Sequence, residues 1–285
     1  MRRSITRRIV GAVAVLLAVG AGVTGTTPSG AAPTQAAETP KTIHPGVQMI
    51  TEGGQCTANF VFTDGQIFYL GYAAHCASTG GATETNGCDA GSLPLGTRVQ
   101  IQGATMPGVL AYSSWLAMQS GPRPDANTCQ YNDFALVEIH RGDWQRISAS
   151  IPHWGGPTGV NTTGTGLLSS VYSYGNSQLR LGITLLSPKT GVSLGTTGGG
   201  WTHPVYTITP GIPGDSGSAL LDAQGRGVGI LSTLALLPTP LSNNYTDLNK
   251  AMEYARAHGV PELRLMTGSG FNPNQLPLDL GYLGL

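Results

Sequence analysis

Charge is scarce in this chain of 285 residues. Asp, Glu, Lys and Arg make up 11% of it, and 15 basic residues balance 15 acidic ones. Without a basic surplus there is no electrostatic footprint for nucleic acid, which its binders carry as clustered Lys and Arg. Cysteine is equally sparse. Four residues with no Cys-x-x-Cys pair, beside six scattered histidines, lack the spacing of a zinc site, so neither metal nor cofactor is expected. Long apolar runs are missing as well. The stretch Ile9 to Val23 holds about 15 apolar or small residues, short of the ~20 that a membrane helix needs. Sustained alternation of strand and helix patterns is absent too, which argues against a doubly wound α/β sheet.

What the chain does have begins at its N-terminus. Met1-Arg2-Arg3 and Arg7-Arg8 precede the apolar stretch, and Ser29-Gly30-Ala31-Ala32 offers small residues for cleavage. This is the layout of a secretory signal peptide over residues 1–32. Its removal leaves 11 basic and 15 acidic residues, a formal charge of −4. The expectation is a secreted, extracellular monomer with no membrane contact after cleavage. Residues 33–46, rich in Pro, Thr and Ala, read as a flexible lead-in or short pro-segment, with the globular part starting near Val47. Export favours disulfides among Cys56, Cys76, Cys88 and Cys129. Four cysteines allow three pairings, and the residues alone do not choose.

Glycine, at 42 residues, has roughly twice its usual share. Short apolar runs recur between Gly-containing turns, the pattern of many strands in a barrel or sandwich. Asn59–Phe62 and Gln66–Leu70 flank Thr63-Asp64-Gly65 as a hairpin. Further candidates are 97–101, 109–112, 131–139, 167–174, 179–186, 204–209, 218–221 and 228–234. Gly155-Gly156-Pro157 and the Gly/Thr-rich run to Gly166 look like a break between two halves. One helix is expected near the end, where Leu248, Ala251, Met252 and Ala255 share a face, Thr246 caps the start and Gly259 stops it.

Three short motifs are bland singly. A histidine among apolar neighbours is often a satisfied core residue, an aspartate at a strand mouth often caps a turn, and Gly-Asp-Ser-Gly is a common turn composition. Together they say more. Ala73-Ala74-His75-Cys76, Asn132-Asp133-Phe134-Ala135-Leu136-Val137 and Gly214-Asp215-Ser216-Gly217 each occur once, in the order His, Asp, Ser. His75 and Asp133 are 58 residues apart and Ser216 lies 83 further on, so only a fold brings them together.

These motifs resemble those of the chymotrypsin-like (trypsin-fold) serine proteases, in a secreted bacterial-type form, over roughly residues 54–259. The resemblance implies an all-β fold: two six-stranded antiparallel barrels, 47–157 and 158–245, with the active site between them. A C-terminal helix, 246–259, and an unassigned tail, 260–285, complete the chain. It also implies a Cys56–Cys76 disulfide, with Cys88–Cys129 as the second. The implied activity is serine-type endopeptidase, a hydrolase of polypeptide substrates. Ser216 Oγ attacks a carbonyl carbon, His75 carries the proton, and Asp133 fixes the imidazole tautomer. The backbone N–H groups of Gly214 and Ser216 form the oxyanion hole, where losing one donor typically costs roughly 3–4 kcal/mol.

Two departures from the family pattern matter. The mature start lacks an Ile-Val-Gly-Gly-like terminus, so Asp215, which turns inward in the family, needs another cation. The pocket is also unusual. Pro210, Ile212 and Pro213 form one wall, with no aspartate at the pocket base, which aligns near Pro210. Ser232, Thr233 and Leu234 align with the strand that pairs with substrate backbone, and Leu234 narrows the mouth. A preference for small or apolar side chains over Arg or Lys is expected. The alternative is a protease-fold binding module with an occluded cleft and little turnover. An esterase built on a strand-to-helix nucleophile elbow requires the chain order Ser–Asp–His, which is not the order here.

Overall fold

The computed structural model describes residues 41–52, 54–80, 86–234 and 241–284. The expected signal peptide, residues 1–32, and residues 33–40 of the expected lead-in lie outside them. The rest of the lead-in is not loose. Ile43 is fully buried, its N–H donates to Arg146 O at 3.0 Å, and its carbonyl accepts from Ser148 N–H at 2.8 Å. Packed structure therefore begins before Val47, a correction to the expected boundary.

The N-terminal half forms β1 (Gln48–Thr51), β2 (Gly54–Thr57), β3 (Val61–Thr63), β4 (Phe68–Tyr72), β5 (Arg98–Ile101) and β6 (Gly108–Ser113). Two short helices, α1 (Ser114–Gln119) and α2 (Ala126–Tyr131), precede β7 (Ala135–Glu138). The C-terminal half contributes β8 (Leu167–Tyr174), β9 (Pro188–Leu194), β10 (Thr202–Thr207), β11 (Ala219–Asp222), β12 (Gly227–Leu234) and β13 (Asn243–Asp247). Then come α3 (Leu248–Ala257) and β14 (Arg264–Leu265).

Strands β8–β13 close a six-stranded antiparallel barrel in the order β10-β13-β12-β11-β8-β9. The other sheet has eight strands, β14-β3-β4-β7-β6-β5-β1-β2, rather than six. Two observations account for the difference. Residues 58–60 carry the chain from β2 at one edge to β3 near the other. Ala58 N–H donates to Val47 O and Asn59 N–H to Gly71 O, so this segment bonds to both sides and rolls the sheet. Counted as one bent strand, β2 and β3 bring the number to seven. The seventh is β14, supplied by the tail, which pairs Arg264 with Thr63 and Leu265 with Phe62.

The rolled sheet encloses Phe60, Phe62, Leu70, Tyr72, Leu110 and Phe134, all nearly or fully buried, and Phe62 meets Phe134 edge-on at 5.4 Å. The barrel core is smaller: Val171, Val205, Leu220, Val228, Leu231 and Tyr245. Helix α3 buries Leu248, Ala251, Met252 and Ala255, the face that its periodicity predicts. At about 1.5–3 kcal/mol for a buried Leu or Met, that face alone holds the helix down. Its cap differs from expectation. Asp247 accepts from Lys250 N–H, while Thr246 Oγ1 turns away and donates to Tyr131 O at 2.6 Å.

The expected strand 179–186 is instead a pair of 3-10 turns, 178–180 and 184–186. Leu181 and Gly182 take positive φ (52° and 80°), which breaks a pleat, and Leu181 is exposed. Beyond β14 the tail docks rather than trailing. Gly268 N–H donates to Pro157 O, Phe271 meets Tyr172 edge-on at 5.6 Å, and Asp279 accepts from Thr184 Oγ1.

Candidate active site

His75 sits on the 3-10 turn Ala74–Ala77 that follows β4. The next residue, Cys76, is bonded to Cys56 on β2, which pins the turn against the neighbouring strand. Asp133 lies between α2 and β7. Asp125 caps α2 by accepting from the N–H groups of Asn127 and Thr128, and Cys129 within α2 is bonded to Cys88. No cysteine is free.

Asp133 is 2% exposed, and its two oxygens are fully engaged. Oδ1 accepts from His75 N–H at 2.8 Å. Oδ2 accepts from His75 Nδ1 at 2.6 Å and from Ser232 Oγ at 2.6 Å. Because Oδ2 can only accept, Nδ1 carries the hydrogen and Nε2 of the neutral ring holds the lone pair. Burial is the largest single influence on His75 and disfavours its charged form, but the charge and hydrogen bond of Asp133 together outweigh it. The imidazole pKa ends above 6.5. Asp133 shows the mirror effect. Burial pushes its carboxyl up, and His75 with the Ser232 hydroxyl pulls it below 3.8. Ser232 was expected to line the pocket. The structure also makes it a donor to Asp133, and the register shift in β12 between Leu231 and Thr233 accompanies that turn of the chain.

Ser216 is half-buried in the loop before β11. The loop is stitched to both halves, because Thr57 N–H donates to Ser216 O at 2.8 Å and Gly217 N–H donates to Leu231 O at 2.7 Å. Two of its glycines are required. Gly214 has φ +94°, and a Cβ there would meet Gln55 Oε1 and Ser177 Oγ. Gly217 has φ +87°, and its Cβ would meet Thr57 O at 2.5 Å. Among the described residues, the N–H groups of Gly214 and Ser216 donate to no protein acceptor, and no hydrogen bond joins Ser216 Oγ to His75 Nε2. Nucleophile–base contacts are often long without substrate and tighten when it binds.

Asp215 finds its cations inside the chain. It is fully buried and pairs with Arg180 Nη2 at 2.6 Å and Lys189 Nζ at 3.2 Å, while Ser177 and Ile212 donate backbone N–H groups to it. Lys189 is itself fully buried and also donates to the carbonyls of Thr209 and Pro210. Burial is the main reason that its amine pKa lies below 10.5, with Asp215 opposing and Arg180 reinforcing the shift. Neither cation stands out in the sequence. Arg180 lies in the supposed strand 179–186 and Lys189 in a strand that alternation did not reveal.

His75 and Ser216 open onto a cleft of about 830 Å³. Gly214, Ile212, Pro213, Ser232, Thr233 and Leu234 line it. Pro210 does not. It is exposed, and its carbonyl faces inward to Lys189, so the wall begins at Gly211. Leu231 and Asn243 join the lining without having been anticipated. Gly191-Val192-Ser193-Leu194-Gly195 has the spacing of a hydrolase elbow, but Ser193 is fully buried within β9 and its hydroxyl is 2.7 Å from that of Thr165.

A rolled sheet and a closed barrel with a cleft beside them, followed by a C-terminal helix, make up the chymotrypsin fold. No protein-family model matches the chain, and no curated protein matches it in sequence. Among solved structures it is similar to Thermobifida fusca protease A, at 16% identity and a TM-score of 0.49 over 79% of this chain and 99% of that one. Cellulomonas bogoriensis chymotrypsin gives 18% identity and a TM-score of 0.46 over 79% and 98%. A Nocardiopsis protease gives 17% and 0.42 over 78% and 98%. At such identities the residue assignments rest on this chain's own geometry.

Proposed function

We propose that the chain is a secreted serine endopeptidase that hydrolyses peptide bonds through an acyl-enzyme on Ser216. The observation that carries this reading is the paired hydrogen bond from His75 to Asp133 beside a cleft that Ser216 and Gly214 also line. In this mechanism His75 Nε2 takes the Ser216 proton as Oγ attacks the substrate carbonyl. The N–H groups of Gly214 and Ser216 receive the developing oxyanion. His75⁺ then protonates the leaving amine, the C–N bond breaks, and an ester remains on Ser216. A water molecule, losing its proton to His75, hydrolyses that ester and restores the hydroxyl. Asp133 stabilises the imidazolium in both halves of the cycle.

Ile212, Leu231 and Leu234 favour an uncharged, small or apolar side chain in the pocket. Among the described lining residues the sole carboxylate is Glu52, exposed on the β1–β2 turn, so Arg and Lys have no buried partner. The two disulfides support an extracellular setting. A cleft of about 830 Å³ that both His75 and Ser216 line favours turnover over the binding-module reading. Cleavage of a peptide library by wild-type protein and by Ser216→Ala tests the proposal. Cleavage lost with the hydroxyl supports it. Cleavage mainly after Arg or Lys contradicts the pocket assignment, and a folded protein that cuts nothing favours the binding module.

A further inference from the structure

The cleft wall contains a polar group that the mechanism does not use. Asn243, the first residue of β13, is 2% exposed and lines the cleft beside Gly211 and Leu231. Its Oδ1 accepts from Gly211 N–H at 2.7 Å. That bond assigns the amide, since only the oxygen can accept, and leaves Nδ2 as the free end. Among the described residues Nδ2 makes no hydrogen bond, yet it does not rank with the buried polar atoms that have neither partner nor solvent. The remaining exit for its two hydrogens is the cleft. Nδ2 also lies where a side chain on residue 211 would go, because a Cβ there would meet it at 2.9 Å. Glycine at 211 therefore keeps the amide at the wall.

We propose that Asn243 is a specificity-determining residue that selects, among uncharged substrate side chains, those ending in an acceptor oxygen. This rests on the endopeptidase reading and refines its pocket. The walls contributed by Ile212, Leu231 and Leu234 accept an aliphatic stem, and Nδ2 donates to the oxygen at its end. Glutamine fits this description, whereas methionine fills similar space without a good acceptor. A site built to hydrogen-bond a substrate rejects the analogue lacking the partner, because the buried donor is then left unpaired.

The test compares kcat/KM on peptides that differ only in Gln or Met before the scissile bond, for wild-type protein and for Asn243→Asp at pH 8. The aspartate keeps an oxygen for Gly211 N–H and replaces the free donor with an acceptor. The proposal expects wild type to prefer Gln by about tenfold or more. It expects Asn243→Asp to lose that preference and to gain cleavage after Lys. Fluorophosphonate labelling of Ser216, and affinity of the same peptides for Ser216→Ala protein, separate pocket recognition from catalysis. Equal or better use of Met by a wild-type protein that labels at Ser216 overturns the Asn243 assignment and leaves the protease reading standing. No labelling, cleavage or peptide binding by folded protein overturns both.

Discussion

Changing Asp215 to Asn probes the support beneath the oxyanion loop. The carboxylate lies between Arg180 and Lys189, with side-chain exposures of 0%, 10% and 0% respectively. An amide in its place leaves two buried cations, and Lys189 retains only the carbonyls of Thr209 and Pro210. Removing one partner from a buried ionic group costs about 3–5 kcal/mol. For a protein of this size, that lowers Tm by roughly 6–20 °C. Lys189→Met should be milder, below about 2 kcal/mol, because Arg180 still pairs with Asp215 and a desolvated ammonium is gone. The double variant Asp215→Asn/Lys189→Met should then be more stable than Asp215→Asn alone, since the orphaned cation has been removed. Urea unfolding at pH 8, followed by tryptophan fluorescence, measures all three. A loss below about 1 kcal/mol for Asp215→Asn, or simple additivity in the double variant, would refute the reasoning.

The activity–pH profile should rise through a midpoint above 6.5, because His75 must be neutral to act as base and Asp133 holds its pKa up. Asp133→Asn leaves burial as the dominant influence, so the midpoint should fall below 6.5 while kcat drops on the order of 10⁴-fold. The pair also sets a stability window. Asp133, depressed on folding, stabilises above its unfolded pKa of 3.8, and this is lost as pH falls through its lower folded value. His75, raised on folding, stabilises below 6.5, and this is lost as pH rises through its higher folded value; pH-dependent unfolding checks both limbs. Replacing Cys88 and Cys129 with Ser opens a crosslink spanning 41 residues of sequence, which chain entropy values at about 4 kcal/mol; thermal unfolding should register most of that loss.

The three motifs and the exposed-to-buried alternation of several strands were legible because residue type alone carries them. The hairpin around Asp64-Gly65, the strand entered from Asp133, β8 and β12 stand out as short apolar runs between turns, β5 alternates exposed and buried residues, and the α3 face follows the helical period. The elements without a local signature share a physical cause. Strand β13 reads Asn-Asn-Tyr-Thr-Asp, poor strand composition, because Asn243 orders Gly211, Thr246 bonds Tyr131 and Asp247 caps α3. Strand β9 holds the buried Lys189 that faces Asp215, and Gly191, whose Cβ would run into Tyr206 O. Polar residues placed for tertiary partners erase the local pattern. The opposite error occurred at 179–186, where leucines imitate a strand while Arg180 turns inward to Asp215.

The central claim is that Ser216 is a nucleophile activated by His75. Fluorophosphonate treatment of the folded protein, followed by peptide mapping, tests it most directly. The account predicts one adduct, on Ser216, formed far more slowly in His75→Ala. An adduct on another serine, or none on Ser216 in folded wild-type protein, would contradict it.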